Sequence, residues 1–186
     1  MKRAFDIAVV LILALPVLMA CLAIASVVRA TSAGPALYWS RRVGANGLDF
    51  SMPKFRTMRI ETPELATHLL ANPARWLTPV GSFLRKSSLD ELPQLWSVLR
   101  GDMSLVGPRP ALHNQADLIA ARRSCGVDVM RPGITGWAQV NGRDELPISV
   151  KVEFDRQYLL HQSFIFDLRV ILLTALHVVR REGVSH

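Results

Sequence analysis

An uninterrupted apolar segment lies near the N-terminus. Residues 7–28 form a run of 22 residues without a charged side chain, and Lys2, Arg3 and Asp6 precede it while Arg29 follows it. A straight α-helix of that length extends roughly 33 Å, about the thickness of a bilayer's hydrocarbon core. The run is too long for the apolar core of a cleaved signal peptide and is unusually long for a buried helix of a soluble domain. The pattern predicts a membrane helix.

Pro16 lies near the middle of this segment, where it removes one helical hydrogen bond and bends the helix. Two half-helices that meet at Pro16 would return both ends to one side of the membrane, whereas a kinked helix would cross it once. Basic residues flank the segment on both sides, so the positive-inside rule does not choose between the two. On the residues alone, both topologies stay open.

The rest of the chain combines short extended segments with short helices. An extended segment is predicted over residues 36–40. Two more lie on either side of a glycine-containing turn at 44–47, and the second of these ends at residue 58. Helices are predicted over residues 62–71, 80–86, 92–100, 111–124, 149–162 and 164–181. An extended turn is expected at 106–110 and a glycine-rich loop at 131–143. The pattern therefore predicts an α+β fold that is mostly helical.

Composition narrows the class of protein. An apolar content of 50% over 186 residues excludes a disordered chain, and two cysteines exclude a disulfide scaffold. The five histidines are scattered, which excludes a structural zinc finger. Of the net charge of +7, +5 lies in residues 29–60, and arginine outnumbers lysine eighteen to four. Guanidinium groups bind phosphate in a planar, bidentate manner, so this region suits anionic lipid headgroups, a phosphorylated substrate, or both.

Candidate chemistry is concentrated at the acidic pair Asp90 and Glu91. Pro93 favours the first turn of a helix, which would place both carboxylates just outside its N-terminus. The partial positive charge there keeps carboxylates ionised, so that an aspartate can attack phosphorus and a glutamate can hold Mg²⁺. Acidic residues more commonly cap a helix, so the pair alone does not identify an active site.

Four cations are candidates for the surroundings of this pair: Lys54, Arg56, Arg85 and Arg109. Each one alone is more typical of a solvated surface charge. Cations held on rigid proline and glycine turns around two carboxylates are, however, what phosphoryl transfer from an anionic donor requires.

An ordered series of motifs carries a family resemblance that covers nearly the whole chain. The motifs are Arg42-Val43-Gly44, Lys54-Phe55-Arg56-Thr57-Met58, Gly81-Ser82-Phe83-Leu84-Arg85, Ser88-Leu89-Asp90-Glu91-Leu92-Pro93-Gln94, Gly101-Asp102-Met103-Ser104, Val106-Gly107-Pro108-Arg109-Pro110, Arg131-Pro132-Gly133-Ile134-Thr135-Gly136-Trp137, Asn141-Gly142-Arg143 and Asp155-Arg156-Gln157-Tyr158. The chain resembles the small monotopic phosphoglycosyl transferases, bacterial sugar transferases that start polysaccharide and glycoconjugate assembly on a lipid carrier.

The resemblance implies a two-step mechanism through a covalent intermediate. Asp90 would attack the β-phosphate of a UDP-sugar with loss of UMP, and polyprenyl (undecaprenyl) phosphate would then take the phosphosugar. Glu91 matches the family's Mg²⁺-binding residue, with Asp90 in the same metal site. The expected substrate and phosphate ligands are Lys54, Arg56, Arg85, Arg109 and Arg143, and the expected supporting residues are Asp155 and Tyr158.

The resemblance also implies an organisation and a set of partners. It favours a re-entrant membrane helix over residues 1–30, bent at Pro16, and a catalytic domain with interfacial helices over residues 31–186, on the cytoplasmic face of the bacterial inner membrane. Leu15 precedes Pro16 where relatives often carry serine. The expected partners are a UDP-sugar, polyprenyl phosphate and anionic headgroups, without nucleic acid. A homodimer is compatible with the sequence. The sugar and the pathway stay open.

Two other functions fit part of the sequence. A membrane-anchored basic module that binds anionic lipid or nucleic acid would not need Asp90, but the basic region interleaves only Tyr38 and Trp39 as aromatics. A metal-dependent hydrolase would cleave a nucleotide-sugar without transfer, and it would release free sugar phosphate when no lipid acceptor is present.

Overall fold

A long apolar helix stands out in the computed structural model, which describes residues 1–63, 72–142 and 146–180. Helix α1 (Lys2–Thr31) is continuous across Pro16. Among the described residues it is the one helix long and apolar enough to cross a membrane. Its middle is exposed, with Ile12 77% and Leu15 70% accessible. An apolar surface of this size is stable only if another apolar phase covers it.

The N-terminal end of α1 is anchored to the rest of the molecule. Arg3 donates hydrogen bonds to the carbonyls of Val98 and Leu99. The buried carboxylate of Asp6 accepts a hydrogen bond of 2.8 Å from the hydroxyl of Ser104. Val10 belongs to a buried cluster with Met52, Val98 and Met103.

The C-terminal end of α1 is anchored as well. Val28 is fully buried in a second cluster with Phe55 and Leu84. The buried guanidinium of Arg56 donates to the carbonyls of Ser32 and Ala33 and to the hydroxyl of Ser32. These carbonyls follow the last turn of the helix, where a cation is favourable.

Two small sheets form the centre of the globular part. Strands β1 (Leu37–Val43) and β2 (Asp49–Phe55) form an antiparallel hairpin, and β4 (Ala111–Leu112) pairs with the other edge of β1. Strand β3 (Ser104–Val106) pairs in parallel with β5 (Gly133–Thr135). The register of the hairpin places Tyr38 opposite Lys54, so both side chains share one face.

Short helices surround these sheets. They are α2 (Gly81–Lys86), the 3-10 helix Leu89–Gln94, α3 (Leu95–Arg100), α4 (Ala116–Ser124), α5 (Trp137–Val140), α6 (Ile148–His161) and α7 (Phe164–Arg180). Further 3-10 turns lie at Ala45–Gly47, Pro73–Trp76 and Val127–Val129.

Helix α7 carries an exposed apolar stripe that begins near the start of α1. Its residues Phe164, Leu168, Leu172 and Leu176, spaced four apart, are all exposed. The ring of Phe164 packs edge-on against Phe5 at 5.0 Å between centroids. The exposed stripe of α7 therefore begins beside the first turns of α1.

The predicted mixture of helices and strands, mostly helical with one long apolar helix, is confirmed. The prediction of a helix from residue 111 was wrong at its start, because Ala111 and Leu112 pair with β1 and the helix begins at Ala116. The segment 131–143, predicted to be a loop, contains β5 and α5. Its glycines reflect close packing, since a Cβ at Gly133 would lie 2.1 Å from the backbone nitrogen of Gly107. Most of the helix predicted over 62–71 falls outside the described residues.

Candidate active site

The acidic pair lies on the 3-10 helix Leu89–Gln94. Ser88 adopts a left-handed conformation with φ of 56°, and the amide of Glu91 donates to its carbonyl. Asp90 and Glu91 consequently lie within the first turn, and the expectation that they precede the helix was wrong. Pro93 predicted a helix that begins close to the proline. The helix begins earlier, at Leu89, because the chain turns at Ser88.

Glu91 is held by two cations from different segments. Lys54 Nζ, on β2, lies 2.9 Å from Glu91 Oε1, and a guanidinium nitrogen of Arg109 lies 3.2 Å from the same oxygen. Burial favours the neutral acid, but the two cations outweigh it and hold the pKa of Glu91 well below its usual range. Burial lowers the pKa of Lys54, and the charge of Glu91 opposes that change. Glu91 is therefore an ionised carboxylate at neutral pH.

Asp90 has the opposite electrostatic environment. Its side chain is buried, and burial raises its pKa to about 6, with a smaller contribution from the negative charge of Glu91. Lys54, Arg85 and Arg109 oppose the rise. A carboxylate with this pKa is mostly ionised at pH 7 but more basic, and hence more nucleophilic, than an ordinary aspartate. Adjacent carboxylates with separated pKa values are typical of sites where each acid has its own role.

Two further arginines contribute charge to the site. Arg85, in the last turn of α2, acts electrostatically on Asp90. Arg42 acts on Lys54 in the same manner and donates to the Pro110 carbonyl at 3.1 Å. Arg42 was missing from the predicted site residues. The sequence did offer one signal. Arg42 belongs to the Arg42-Val43-Gly44 motif and lies two residues after Ser40, the end of a predicted strand.

Asp155 is linked through Arg122 to the loop that carries Arg109. Its Oδ2 accepts hydrogen bonds of 2.9 and 2.7 Å from Nε and a terminal nitrogen of Arg122, and the other terminal nitrogen of Arg122 donates to the Arg109 carbonyl at 2.7 Å. The structure thus connects Asp155 to the acidic pair through two arginines.

The other predicted residues lie elsewhere. Tyr158 is buried, and its hydroxyl donates to Asp167 and accepts from Lys2, which fixes the start of α1. Burial and the negative charge of Asp167 raise the pKa of Tyr158. The described contacts of Arg56 are at the C-terminal end of α1, a structural position and not one beside Glu91. Arg143 falls outside the described residues.

The acidic pair suits Mg²⁺ only in combination with a phosphorylated ligand. Among the described residues, no group of three or more His, Cys, Asp or Glu side chains could hold a metal ion. Proteins commonly bind Mg²⁺ through one or two carboxylates and complete the shell with substrate phosphates and water. The bonds from Lys54 and Arg109 both use Glu91 Oε1, and neither involves Oε2. The residues present therefore fit an ion that binds together with a diphosphate.

Comparison with known proteins identifies the family. The model of the family described as bacterial sugar transferase matches residues 1–181. The chain is 40% identical to the uncharacterized sugar transferase EpsL of Bacillus subtilis (strain 168) over 185 residues, which are 100% of this chain and 90% of that protein. The chain belongs to the bacterial sugar transferase family, which confirms the resemblance to phosphoglycosyl transferases.

Other relatives are longer and carry more specific names. The chain is 44% identical to the UDP-glucose:undecaprenyl-phosphate glucose-1-phosphate transferase of Xanthomonas campestris pv. campestris, over 85% of this chain and 34% of that protein. It is 39% identical to the undecaprenyl-phosphate galactose phosphotransferase of Salmonella typhimurium, over 98% of this chain and 41% of that protein. The chain thus spans less than half the length of these two relatives.

Proposed function

We propose that the protein transfers a phosphosugar from a UDP-sugar to polyprenyl phosphate and produces UMP and a polyprenyl-diphosphate-sugar. The observation that carries this proposal is the position of buried Asp90 next to Glu91, whose carboxylate is held by Lys54 at 2.9 Å and Arg109 at 3.2 Å. The names of the longer relatives support the class of donor and acceptor.

The reaction would proceed in two displacements at one phosphorus atom. A carboxylate oxygen of Asp90 attacks the β-phosphorus of the UDP-sugar, and the bond to the bridging oxygen breaks with its electron pair leaving on UMP. A phosphate oxygen of polyprenyl phosphate then attacks the phosphorus of the acyl phosphate, and Asp90 departs as a carboxylate. The first step leaves Asp90 as an acyl phosphate, and the second step restores its free carboxylate.

The cations around the pair supply the electrostatic part of catalysis. Lys54, Arg85 and Arg109 converge on the two carboxylates and would offset the negative charge of a diphosphate. Glu91 and Asp90 are the residues that would hold Mg²⁺, which when bound neutralises charge on the phosphate oxygens. Because the pKa of Glu91 is lowered well below its usual range, Glu91 can serve as a metal ligand at neutral pH.

A re-entrant topology for α1 is part of the proposal. In a straight helix, Val10 and Val28 would be separated by roughly 27 Å. Their buried clusters, however, contain Met52 and Phe55, which are about 10 Å apart along β2. A bend at Pro16 satisfies both contacts and directs the exposed middle of the helix away from the globular part.

The exposed apolar stripe of α7 supports an interfacial position for the globular part. It begins next to the start of α1, so both surfaces can enter the same lipid leaflet. The acidic pair would then face the cytoplasm at the surface of the inner membrane, where a water-soluble donor and a lipid acceptor can meet.

Intact-mass analysis of the protein in nanodiscs tests the reaction. The protein is supplied with Mg²⁺ and a panel of UDP-sugars in the absence of lipid acceptor. We expect a mass gain of one phosphosugar with the correct donor, release of UMP, and no gain in Asp90→Asn. Polyprenyl phosphate should then discharge the adduct. Steady release of free sugar phosphate without acceptor would identify a hydrolase, and UMP formation by Asp90→Asn would refute the covalent route.

A further inference from the structure

The loop that carries Arg109 cannot be positioned by its own backbone donors alone. Arg109 lies between Pro108 and Pro110, which lack amide hydrogens. The loop is held instead through its carbonyl oxygens. The carbonyl of Pro108 accepts from the amide of Gly133, and the carbonyl of Pro110 accepts from Arg42. The carbonyl of Arg109 itself accepts a hydrogen bond of 2.7 Å from Arg122.

Arg122 is fixed in one orientation by a buried partner. Two of its nitrogens bind Oδ2 of Asp155, and the side chains of Arg122 and Asp155 are only 9% and 1% exposed. A guanidinium is planar, so this two-point contact directs its remaining nitrogen at the Arg109 carbonyl. Helices α4 and α6 supply these two side chains, and the position of the Arg109 backbone is therefore set by the packing of two helices.

The reach of Arg109 depends on that backbone position. The Arg109 side chain is 33% exposed, so neighbouring residues do not enclose it completely. Its guanidinium lies 3.2 Å from Glu91. A displacement of the loop by about 1 Å would lengthen this contact beyond a hydrogen bond. Errors of this size at a catalytic group can reduce rates by up to about a hundredfold.

We propose that Arg122 is a positioning residue of the active site: held by Asp155, it fixes the Arg109 carbonyl and so places the Arg109 guanidinium on Glu91. This inference rests on the proposed function. Arg122 acts through Arg109 and does not itself contact the acidic pair, so its effect must disappear when Arg109 can no longer bind Glu91.

The test is a double-mutant cycle between positions 109 and 122. Arg122→Lys keeps the charge that Asp155 requires but cannot bond both Asp155 and the Arg109 carbonyl in the same manner. We expect kcat/KM for the UDP-sugar to fall by about tenfold to a hundredfold per folded molecule. In Arg109→Gln, kcat/KM should fall at least as far. The kcat/KM of the double variant should lie within about twofold of that of Arg109→Gln alone. Additive losses would overturn the proposal.

Two controls separate positioning from general destabilisation. Arg123→Lys changes the next residue of α4, whose side chain is 67% exposed, and should leave kcat/KM unchanged. Thermal unfolding of each variant gives its folded fraction. A purely structural Arg122 would lower the melting temperature of Arg122→Lys but leave kcat/KM per folded molecule at the wild-type value, which would contradict the proposal.

A binding measurement distinguishes failure of this inference from failure of the proposed function. Calorimetric titration with UDP requires no turnover, and the same cycle applies to its Kd. If the wild-type protein forms no adduct with any donor, the proposed function fails, yet the inference about Arg122 would still be supported if Arg122→Lys weakens UDP binding and the double variant binds UDP within about twofold of Arg109→Gln. Independent, additive weakening would exclude it.

Discussion

The two adjacent carboxylates differ in their partners and therefore in their chemistry. Glu91 contacts Lys54 and Arg109 directly, whereas Asp90 is buried and is influenced by cations at longer range. Direct pairing lowers the pKa of one acid, and desolvation raises the pKa of the other. One turn of 3-10 helix thus presents a stable anionic ligand and a more basic nucleophile side by side.

Replacement of Asp90 should separate stability from activity. A folded-state pKa of about 6, against 3.8 for a free aspartate, means that ionised Asp90 costs the folded protein about 3 kcal/mol at neutral pH. Since this pKa is raised, the contribution of Asp90 to the free energy of unfolding falls as the pH increases from about 4 to about 6. We expect Asp90→Asn to abolish the covalent adduct, to melt at higher temperature at pH 7, and to lack this decline. If the wild type and Asp90→Asn had the same difference in melting temperature at every pH from about 4 to about 6, the assigned pKa of Asp90 would be contradicted.

The activity should depend on the ionisation of Asp90. Only the carboxylate form can attack phosphorus, so adduct formation should decline as the pH falls through about 6, with a tenfold loss for each further pH unit. The rate of adduct formation in single-turnover experiments measures this directly. The pKa of Glu91 lies far below this range and should not contribute a second step. A rate that stays constant down to pH 5 would exclude Asp90 as the ionising group.

The sequence predicted the acidic pair and most of the cations near it, but it did not predict the position of Arg56. Lys54 and Arg56 are two residues apart on one extended segment, and sequence alone treats both as phosphate ligands. The structure separates them, because β2 ends at Phe55 and the chain then turns Arg56 towards Ser32 and Ala33. The role of Arg122 could not be predicted either, because it depends on a carbonyl contact between distant segments.

At the level of elements, α1 combines two anchored ends with an exposed middle. Asp6 and Val28 are buried against the globular part, whereas Leu11 to Leu22 includes the most exposed apolar positions of the helix. The uninterrupted apolar run predicted a helix of membrane-spanning length with Pro16 near its middle. It could not reveal the anchors, because Arg3, Asp6 and the carbonyls that follow α1 acquire partners only in the folded chain.

Substitution of Pro16 should change the topology of α1. Pro16→Leu restores the missing hydrogen bond and favours a straight helix long enough to span the bilayer. We expect an N-terminal tag to be shielded from a membrane-impermeant reagent outside the cell in the wild type and to become partly accessible in Pro16→Leu. Leu15→Ala, which removes no helix-breaking residue, is the matched control. External labelling of the wild-type tag would contradict the re-entrant topology.

At the scale of the whole molecule, the first and last described helices are joined by a polar cluster. Lys2 forms a 2.6 Å ion pair with Asp167 and a hydrogen bond with Tyr158, and Tyr158 also bonds Asp167. Asp167 and Tyr158 are buried, so the cluster depends on complete pairing. It connects α1 to α6 and α7 at the edge of the proposed membrane surface.

Removal of the Lys2 charge should destabilise the folded protein. Lys2→Met leaves the carboxylate of Asp167 buried without its cation, and we expect a loss of about 1–3 kcal/mol in unfolding free energy. Glu153→Gln breaks an exposed ion pair with Arg156 and should cost less than about 0.5 kcal/mol. Thermal unfolding in nanodiscs measures both. A Lys2→Met variant as stable as Glu153→Gln would show that the cluster does not hold the helices together.

The contact between Lys2 and Asp167 also joins two residues that are synthesised far apart in time. Residues 165 positions apart must meet, so the N-terminal helix enters the lipid long before its partner leaves the ribosome. Lys2 stays without its final partner during that interval, whereas Arg3 and Asp6 wait only for Val98, Leu99 and Ser104. The newly inserted helix is therefore held at first by lipid alone, and the polar cluster closes only after α7 has been synthesised. Truncated products lacking α7 should consequently remain membrane-bound but protease-sensitive.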